Sequence, residues 1–241
     1  MNTKRIGIIQ PGGIGDIIIS LPIAKFYFDR GFEVFFPIDK RYLPSFINAV
    51  SYVNFISLEN TKTIDDVIAI PTKILSSLGC TIFNLLSYIS TNPELVTNSK
   101  LARYLKFDQY KYAIANVPFR EKWNLVINRD MAREKEFFNF VVGESDQEYS
   151  LVQLNASEVG VSIDQIKTLI RTDKIIQINN VSDNIFDWLT VIENAKELIL
   201  IESCFSNLVD QLNLNISKTL ILKAEGLYNP VLNGEWRYAS L

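Results

Sequence analysis

Along its 241 residues the chain alternates short apolar runs with charged or turn-forming breaks, and the runs repeat in the order strand, helix, strand. Lys4 to Gln10 (KRIGIIQ) is a compact apolar run ended by Pro-Gly-Gly, the pattern of a buried strand and a turn. Ile17 to Arg30 has the length and apolar density of a helix stopped by Gly31, and Phe32 to Ile38 (FEVFFPI) reads as the next strand. That order predicts a parallel βαβ opening with a right-handed crossover. Pro22 is awkward there, because a proline beyond the first helical turn loses a hydrogen bond and clashes one turn back. The pattern implies a late helix start or a kink.

Further strands are predicted at Val53 to Leu58, Cys80 to Leu86 and Tyr112 to Val117, with a helical segment at Leu43 to Ala49. Residues 118–142 read as one long amphipathic helix with charges on one face, followed by a linker-like GESDQE at 143–148. A second run of strands then covers Ser150 to Leu154, Lys174 to Ile178, Leu198 to Ile201 and Thr219 to Leu222, with helices near 162–171, 184–195 and 204–213. The fold class expected is α/β with two Rossmann-like lobes built on parallel sheets. The expected boundaries are 1–117 for the first lobe, 118–148 for a bridging helix and linker, 149–225 for a small second lobe and 226–241 for a tail.

Composition narrows the chemistry. The chain contains no histidine, which removes Ser-His-Asp and Cys-His nucleophile systems, His-ligated zinc and histidine bases together. Acid–base work therefore falls to Asp, Glu, Lys, Tyr or Cys. The two cysteines, Cys80 and Cys204, stand far apart in apolar surroundings and read as buried thiols rather than a disulfide or metal site. No run approaches the roughly 18 apolar residues of a membrane span, and the N-terminus enters a strand rather than a signal-peptide pattern. A soluble, cytoplasmic protein is expected.

The stretch IIQPGGIGDIII (8–19) sets Gly12, Gly13, Gly15 and Asp16 between two apolar runs. A strand passing through glycines into a helix N-terminus makes an anion site, since unpaired N–H groups and the positive end of the helix dipole face one point. The dinucleotide fingerprint G-x-G-x-x-G fits in part: Gly13 and Gly15 match, and Ile18 holds the third place. Asp39, ending the second strand, could serve as the ribose acid of such a site. Asp16 could be a helix cap, or a carboxylate that accepts a proton from an incoming hydroxyl beside an elbow built for close approach.

PGGIGDIIISLPIAKFY (11–27) resembles the N-terminal motif of heptosyltransferase-type enzymes, glycosyltransferase family 9. In that family the first strand leads into a Gly-x-Gly-Asp elbow and a helix with a proline six residues after the aspartate, where Pro22 stands. The resemblance implies the two-lobed arrangement called GT-B and inverting, metal-independent transfer of a sugar from a nucleotide diphosphate sugar to a hydroxyl. Asp16 would be the base, and no cofactor is implied. The absence of an Asp-x-Asp triplet agrees with metal-free chemistry.

ELILIESCFSNLVDQLNL (197–214) is similar to the family's strand, Asp-Ser-Gly, helix element near the donor nucleotide. In register, Glu202 replaces the aspartate, Ser203 keeps the serine, Cys204 replaces the glycine and Asn207 stands where the family has histidine. Ser203 and the N–H groups up to Ser206 could hold a pyrophosphate or simply cap the helix. Asn155 and Ser157 lie near the place of the family's phosphate-binding lysine.

Charge is uneven: residues 100–135 hold nine Lys or Arg against four acids, and residues 144–210 hold twelve acids against four bases. In the basic stretch Lys100, Arg103, Lys106, Lys111, Arg120, Lys122, Arg129 and Arg133 interleave with Tyr104, Phe107, Tyr110, Tyr112, Phe119 and Trp123. Such a stretch suits a donor diphosphate, with Arg129 and Arg133 as its ligands, or an anionic acceptor; it equally suits a solvated helix face over a core. A net charge of −3 argues against a broad nucleic-acid footprint. The family suggests a lipopolysaccharide-core, other glycan or lipid-linked acceptor, and a modified DNA base, as a virus-like transferase would glycosylate, also fits. Two alternatives stay open: an NAD(P)-dependent oxidoreductase using the same elbow, and a non-catalytic nucleotide-sugar-binding protein.

Overall fold

The computed structural model describes residues 4–86, 104–144, 147–156, 159–222 and 229–239. The chain forms two compact units, Met1–Asn128 with Gly226–Val231, and Arg129–Glu225 with Leu232–Leu241.

The first unit is built on β1 (Arg5–Ile9), α1 (Ile14–Phe28), β2 (Glu33–Asp39), α2 (Leu43–Phe46), β3 (Asn54–Leu58), α3 (Ile70–Ser77), β4 (Thr81–Asn84) and α4 (Phe107–Ile114). Its sheet has the order β3-β2-β1-β4, every pair parallel, with Ile6 opposite Val34 on one side and Ile8 opposite Phe83 on the other. β1 is central, so its Ile6, Ile8 and Ile9 are buried. α1 is buried continuously from Ile17 to Ala24, as expected of a helix that is apolar all round. It runs through Pro22 as a single helix, so neither a late start nor a break accommodates the proline.

Two elements differ from expectation. Tyr112 to Val117 is not a strand: residues 107–114 are helical, and Asp108, Lys111, Tyr112 and Ala115 form the buried stripe at helical spacing. Two charged residues in that stripe hide its period from a hydrophobic reading. The Tyr112 hydroxyl donates to the Ile19 carbonyl at 2.9 Å and the Tyr27 hydroxyl to the Ala115 carbonyl at 2.6 Å, which fastens α4 along α1. Residues 118–142 are not one helix either. A 3₁₀ turn at Phe119–Trp123 ends, and α5 (Met131–Val142) starts afresh because the Asp130 carboxylate accepts from the Arg133 N–H at 3.0 Å as an N-cap.

Beyond α5 the second unit comprises β5 (Tyr149–Gln153), β6 (Asn155–Ala156), β7 (Val159–Gly160), α6 (Ile163–Ile166), β8 (Lys174–Gln177), α7 (Leu189–Glu193), β9 (Glu197–Ile201), α8 (Cys204–Gln211), β10 (Ser217–Ile221) and β11 (Trp236–Ala239). Its main sheet is again wholly parallel, in the order β11-β10-β9-β5-β8, while β6 and β7 form a small antiparallel pair. β5 and β9 are buried at every position. The stretch 226–241, read as a tail, is divided between the units and supplies β11. Cys80 and Cys204 are half-buried rather than fully enclosed.

Two local devices hold the end of β1 in place. Asp39 closes β2, donates its N–H to the Pro11 carbonyl at 2.9 Å, and turns its buried carboxylate to the Arg41 guanidinium and the Thr61 hydroxyl. The Arg41 hydrogen bonds hold that carboxyl well below the usual carboxylate range, against the opposing effect of burial. Gly13 caps α1 with φ +76°, and a Cβ there would sit 2.9 Å from Oδ2 of Asp16.

Both devices give measurable expectations. Because the folded-state pKa of Asp39 is depressed, its contribution is complete above the unfolded value near 4 and fades as pH falls below it. Asp39→Asn should therefore destabilise the protein near neutral pH by about 2 kcal/mol, with the gap from wild type narrowing below about pH 4 in urea titrations; a constant gap contradicts the assignment. Gly13→Ala should lose about 1–2 kcal/mol from its backbone conformation alone, plus the collision with Asp16. Denaturant unfolding should show a smaller loss when the same change is made in Asp16→Ala.

Candidate active site

In the first unit the elbow Pro11 to Asp16 joins the central strand to the buried helix. Asp16 lies in the first turn of α1 and keeps 33 % of its side chain in solvent. Gly12 has open space where a Cβ would go, whereas the space beside Gly13 is occupied by the Asp16 carboxylate. Close approach at Gly13 is thus made by the protein's own carboxylate, and Gly12 is the position left open. Gly15 is the second residue of the helix and half-buried.

The carboxylate has a partner that the sequence did not announce. Lys111, on α4, is fully buried, and its Nζ lies 3.1 Å from Oδ1 of Asp16 and 2.5 Å from Oε1 of Gln10. Gln10 is itself buried and donates through Nε2 to the Gly12 carbonyl at 2.9 Å. One ammonium therefore joins the end of β1, the glycine elbow and the carboxylate. Transfer of a lysine cation into the interior is tolerated when hydrogen bonds and an opposite charge meet it, as Gln10 and Asp16 do here.

The rest of the basic stretch divides: Arg120, Arg133 and Lys135 are exposed, whereas Lys122 is buried and Arg129 is half-buried. Lys122 and Asp108 form a second ion pair at 2.8 Å, both fully buried, and Asp108 also accepts from the Val231 N–H at 2.8 Å. The Arg129 guanidinium donates to Glu134 and to Glu193, and that of Arg133 to Asp187 at 2.7 Å. Hydrogen bonding to these carboxylates raises both arginines above their ordinary range. Arg129 and Arg133 thus stand in internal networks of the second unit. Lys100, Arg103 and Ser157 lie outside the described residues.

At the second motif β9 runs into α8 as expected. Ser203 is the N-cap: its Oγ accepts from the Phe205 N–H at 3.2 Å and donates to Oε1 of Gln153 at 2.5 Å. Ser206 completes a capping box, its hydroxyl accepting from the Ser203 N–H at 2.9 Å. Nδ2 of Asn207 donates to the Ser203 carbonyl at 3.0 Å, and its Oδ1 is buried with no hydrogen-bond partner among the described residues. Glu202 donates its N–H to Ile221 at the end of β10. The structure thus brings Glu202, Ser203, Ser206 and Asn207 together at one helix N-terminus. Asn155, exposed on β6, accepts through its carbonyl from the Gln153 side chain, the same amide whose Oε1 accepts from Ser203. Among the described residues no helix is long and apolar enough to cross a membrane, and no cluster of three His, Cys, Asp or Glu stands ready for a metal.

No protein-family model and no curated protein sequence matches the chain. Solved structures do. A glycosyltransferase of family 9 from Veillonella parvula DSM 2008 superposes with a TM-score of 0.64 at 11% identity, over 100% of this chain and 88% of its own. The E. coli ADP-heptose lipopolysaccharide heptosyltransferase II gives 0.62 at 10% identity, over 98% and 90% of the two chains. The E. coli heptosyltransferase WaaC with ADP-2-deoxy-2-fluoro heptose gives 0.52 at 10% identity, over 98% and 92%. At such identities the likeness lies in the path of the chain, and its extent is decisive: the protein has the α/β, GT-B-like fold of family 9 glycosyltransferases and heptosyltransferases along its whole length.

Proposed function

We propose that the protein is a glycosyltransferase that moves a sugar from a nucleotide diphosphate sugar to a hydroxyl acceptor, with Asp16 as the base. The observation that carries this reading is the place of Asp16: a partly exposed carboxylate at the glycine elbow of a chain that matches heptosyltransferase structures throughout. One of those structures holds an ADP-heptose analogue, so an ADP-sugar is the first donor to try.

In the proposed reaction Asp16 accepts the proton of the acceptor hydroxyl while that oxygen attacks the anomeric carbon. The bond from that carbon to the diphosphate breaks, and the nucleoside diphosphate leaves with the electron pair. In-line attack opposite the leaving group inverts the anomeric centre. Proton removal belongs to the first unit, and donor recognition is assigned to Ser203, Ser206 and Asn207 in the second. No metal enters the proposed step, and the acceptor is a glycan, lipid-linked or nucleobase hydroxyl.

The oxidoreductase reading is weakened by Asp39. A ribose-binding acid must present its carboxylate to the ligand, and that of Asp39 is already held by Arg41 and Thr61. Thermal-shift titration with ADP-, UDP- and GDP-sugars against NAD(P)H should raise the melting temperature with a nucleotide sugar only. With that donor, Asp16→Asn should lower turnover about 100-fold or more while the donor still binds. Near-normal turnover in the variant contradicts the role of Asp16. Binding without transfer in the wild type identifies a non-catalytic protein.

A further inference from the structure

We infer that Lys111 is the positioning residue of Asp16: it acts on sugar transfer through the carboxylate and not through the stability of the fold. This rests on the proposed role of Asp16. Three observations support it.

The first is that the packing of α4 does not by itself call for a cation at this position. The helical stripe of α4 that carries Lys111 also carries Tyr112 and Ala115, both buried, and an apolar side chain of similar length would complete the same packing. The groups that meet the ammonium belong to the elbow and not to the packing of α4. The second is that the ammonium meets the two parts of the elbow that must keep a fixed relation. It bonds Gln10, which holds the Gly12 carbonyl, and it faces Oδ1 of Asp16. The third is that Oδ2 lies against Gly13. With one oxygen at the ammonium and the other against the glycine, the plane of the carboxylate is set from both sides.

Charged groups on the elements around α1 are engaged elsewhere. Asp108 pairs with Lys122, Asp39 with Arg41, Glu33 with Arg5, Lys25 with Asp29, and Arg120 lies 3.8 Å from Glu121. Among the described residues Lys111 is the cation that pairs with Asp16.

The two members of the pair differ in a way that makes the inference testable. Asp16 keeps a third of its side chain in water, so loss of the ammonium leaves it hydrated and costs the buried Gln10 side chain one hydrogen bond, whereas loss of the carboxylate leaves a fully buried cation without its opposite charge at Asp16. Lys111→Met should therefore fold, and with the donor found by thermal shift it should lower kcat about 10- to 100-fold with KM for the nucleotide sugar unchanged. In the Asp16→Asn background the same change should lower turnover no further. Unaltered kcat in Lys111→Met, or an equal further loss in Asp16→Asn, overturns the inference. Lys111→Gln serves in its place should Lys111→Met not fold.

A second readout needs no activity and separates this inference from the proposed reaction. Asp16→Asn should lower the melting temperature of the wild type and leave that of Lys111→Met nearly unchanged. Additive losses overturn the positioning role even if sugar transfer is confirmed. Coupled losses with no transfer from any donor in the panel retain the pair and overturn its catalytic purpose.

Discussion

A lysine ammonium with no exposure to solvent must find its hydration shell within the protein, and the elbow of the first unit is arranged around that demand. Lys111 takes one oxygen from Gln10 at the end of the central strand and one from Asp16 in the first turn of the buried helix. Around it, Gln10 holds Gly12, Gly13 turns its bare α-carbon to the carboxylate, and the Tyr112 hydroxyl anchors the lysine's own helix to α1. The result is a carboxylate on rigid elements, oriented by a charge and partly open to water, which is the arrangement a positioned base requires.

The second unit orders the N-terminus of α8 differently. Ser203 and Ser206 form a capping box at α8, and Ser203 is also held by Gln153 from the neighbouring strand. These bonds order the helix N-terminus. In the same unit Arg129 and Arg133 brace α5 against Glu193 and Asp187. Helix dipole and hydroxyls remain as the groups suited to an anionic ligand there.

Much of this could be read from the residues. The βαβ opening, the elbow and the β9–α8 element were legible because each combines an apolar run with a local stop or cap signal: Pro-Gly-Gly after β1, Gly31 after α1, Ser203 before α8. What escaped depends on partners distant in sequence. Lys111 lies 95 positions from Asp16, and a lysine between two tyrosines reads as surface charge; the available signal was its helical spacing with Asp108 and Ala115. Residues 118–142 look continuous because charge periodicity does not register Asp130 as a cap. β11 was missed because W-R-Y-A is too short to separate from a tail without the neighbouring β10.

In the proposed reaction the Asp16 carboxylate faces the hydroxyl that attacks the sugar. A crystal structure with an unreactive fluorinated nucleotide sugar and an acceptor, or the water that occupies its place, tests it most directly. The oxygen beside the anomeric carbon should lie about 2.6–3.2 Å from Asp16, with Lys111 still paired to the carboxylate. A bound donor whose anomeric carbon is served by a different carboxylate, with Asp16 turned away from it, would contradict the account.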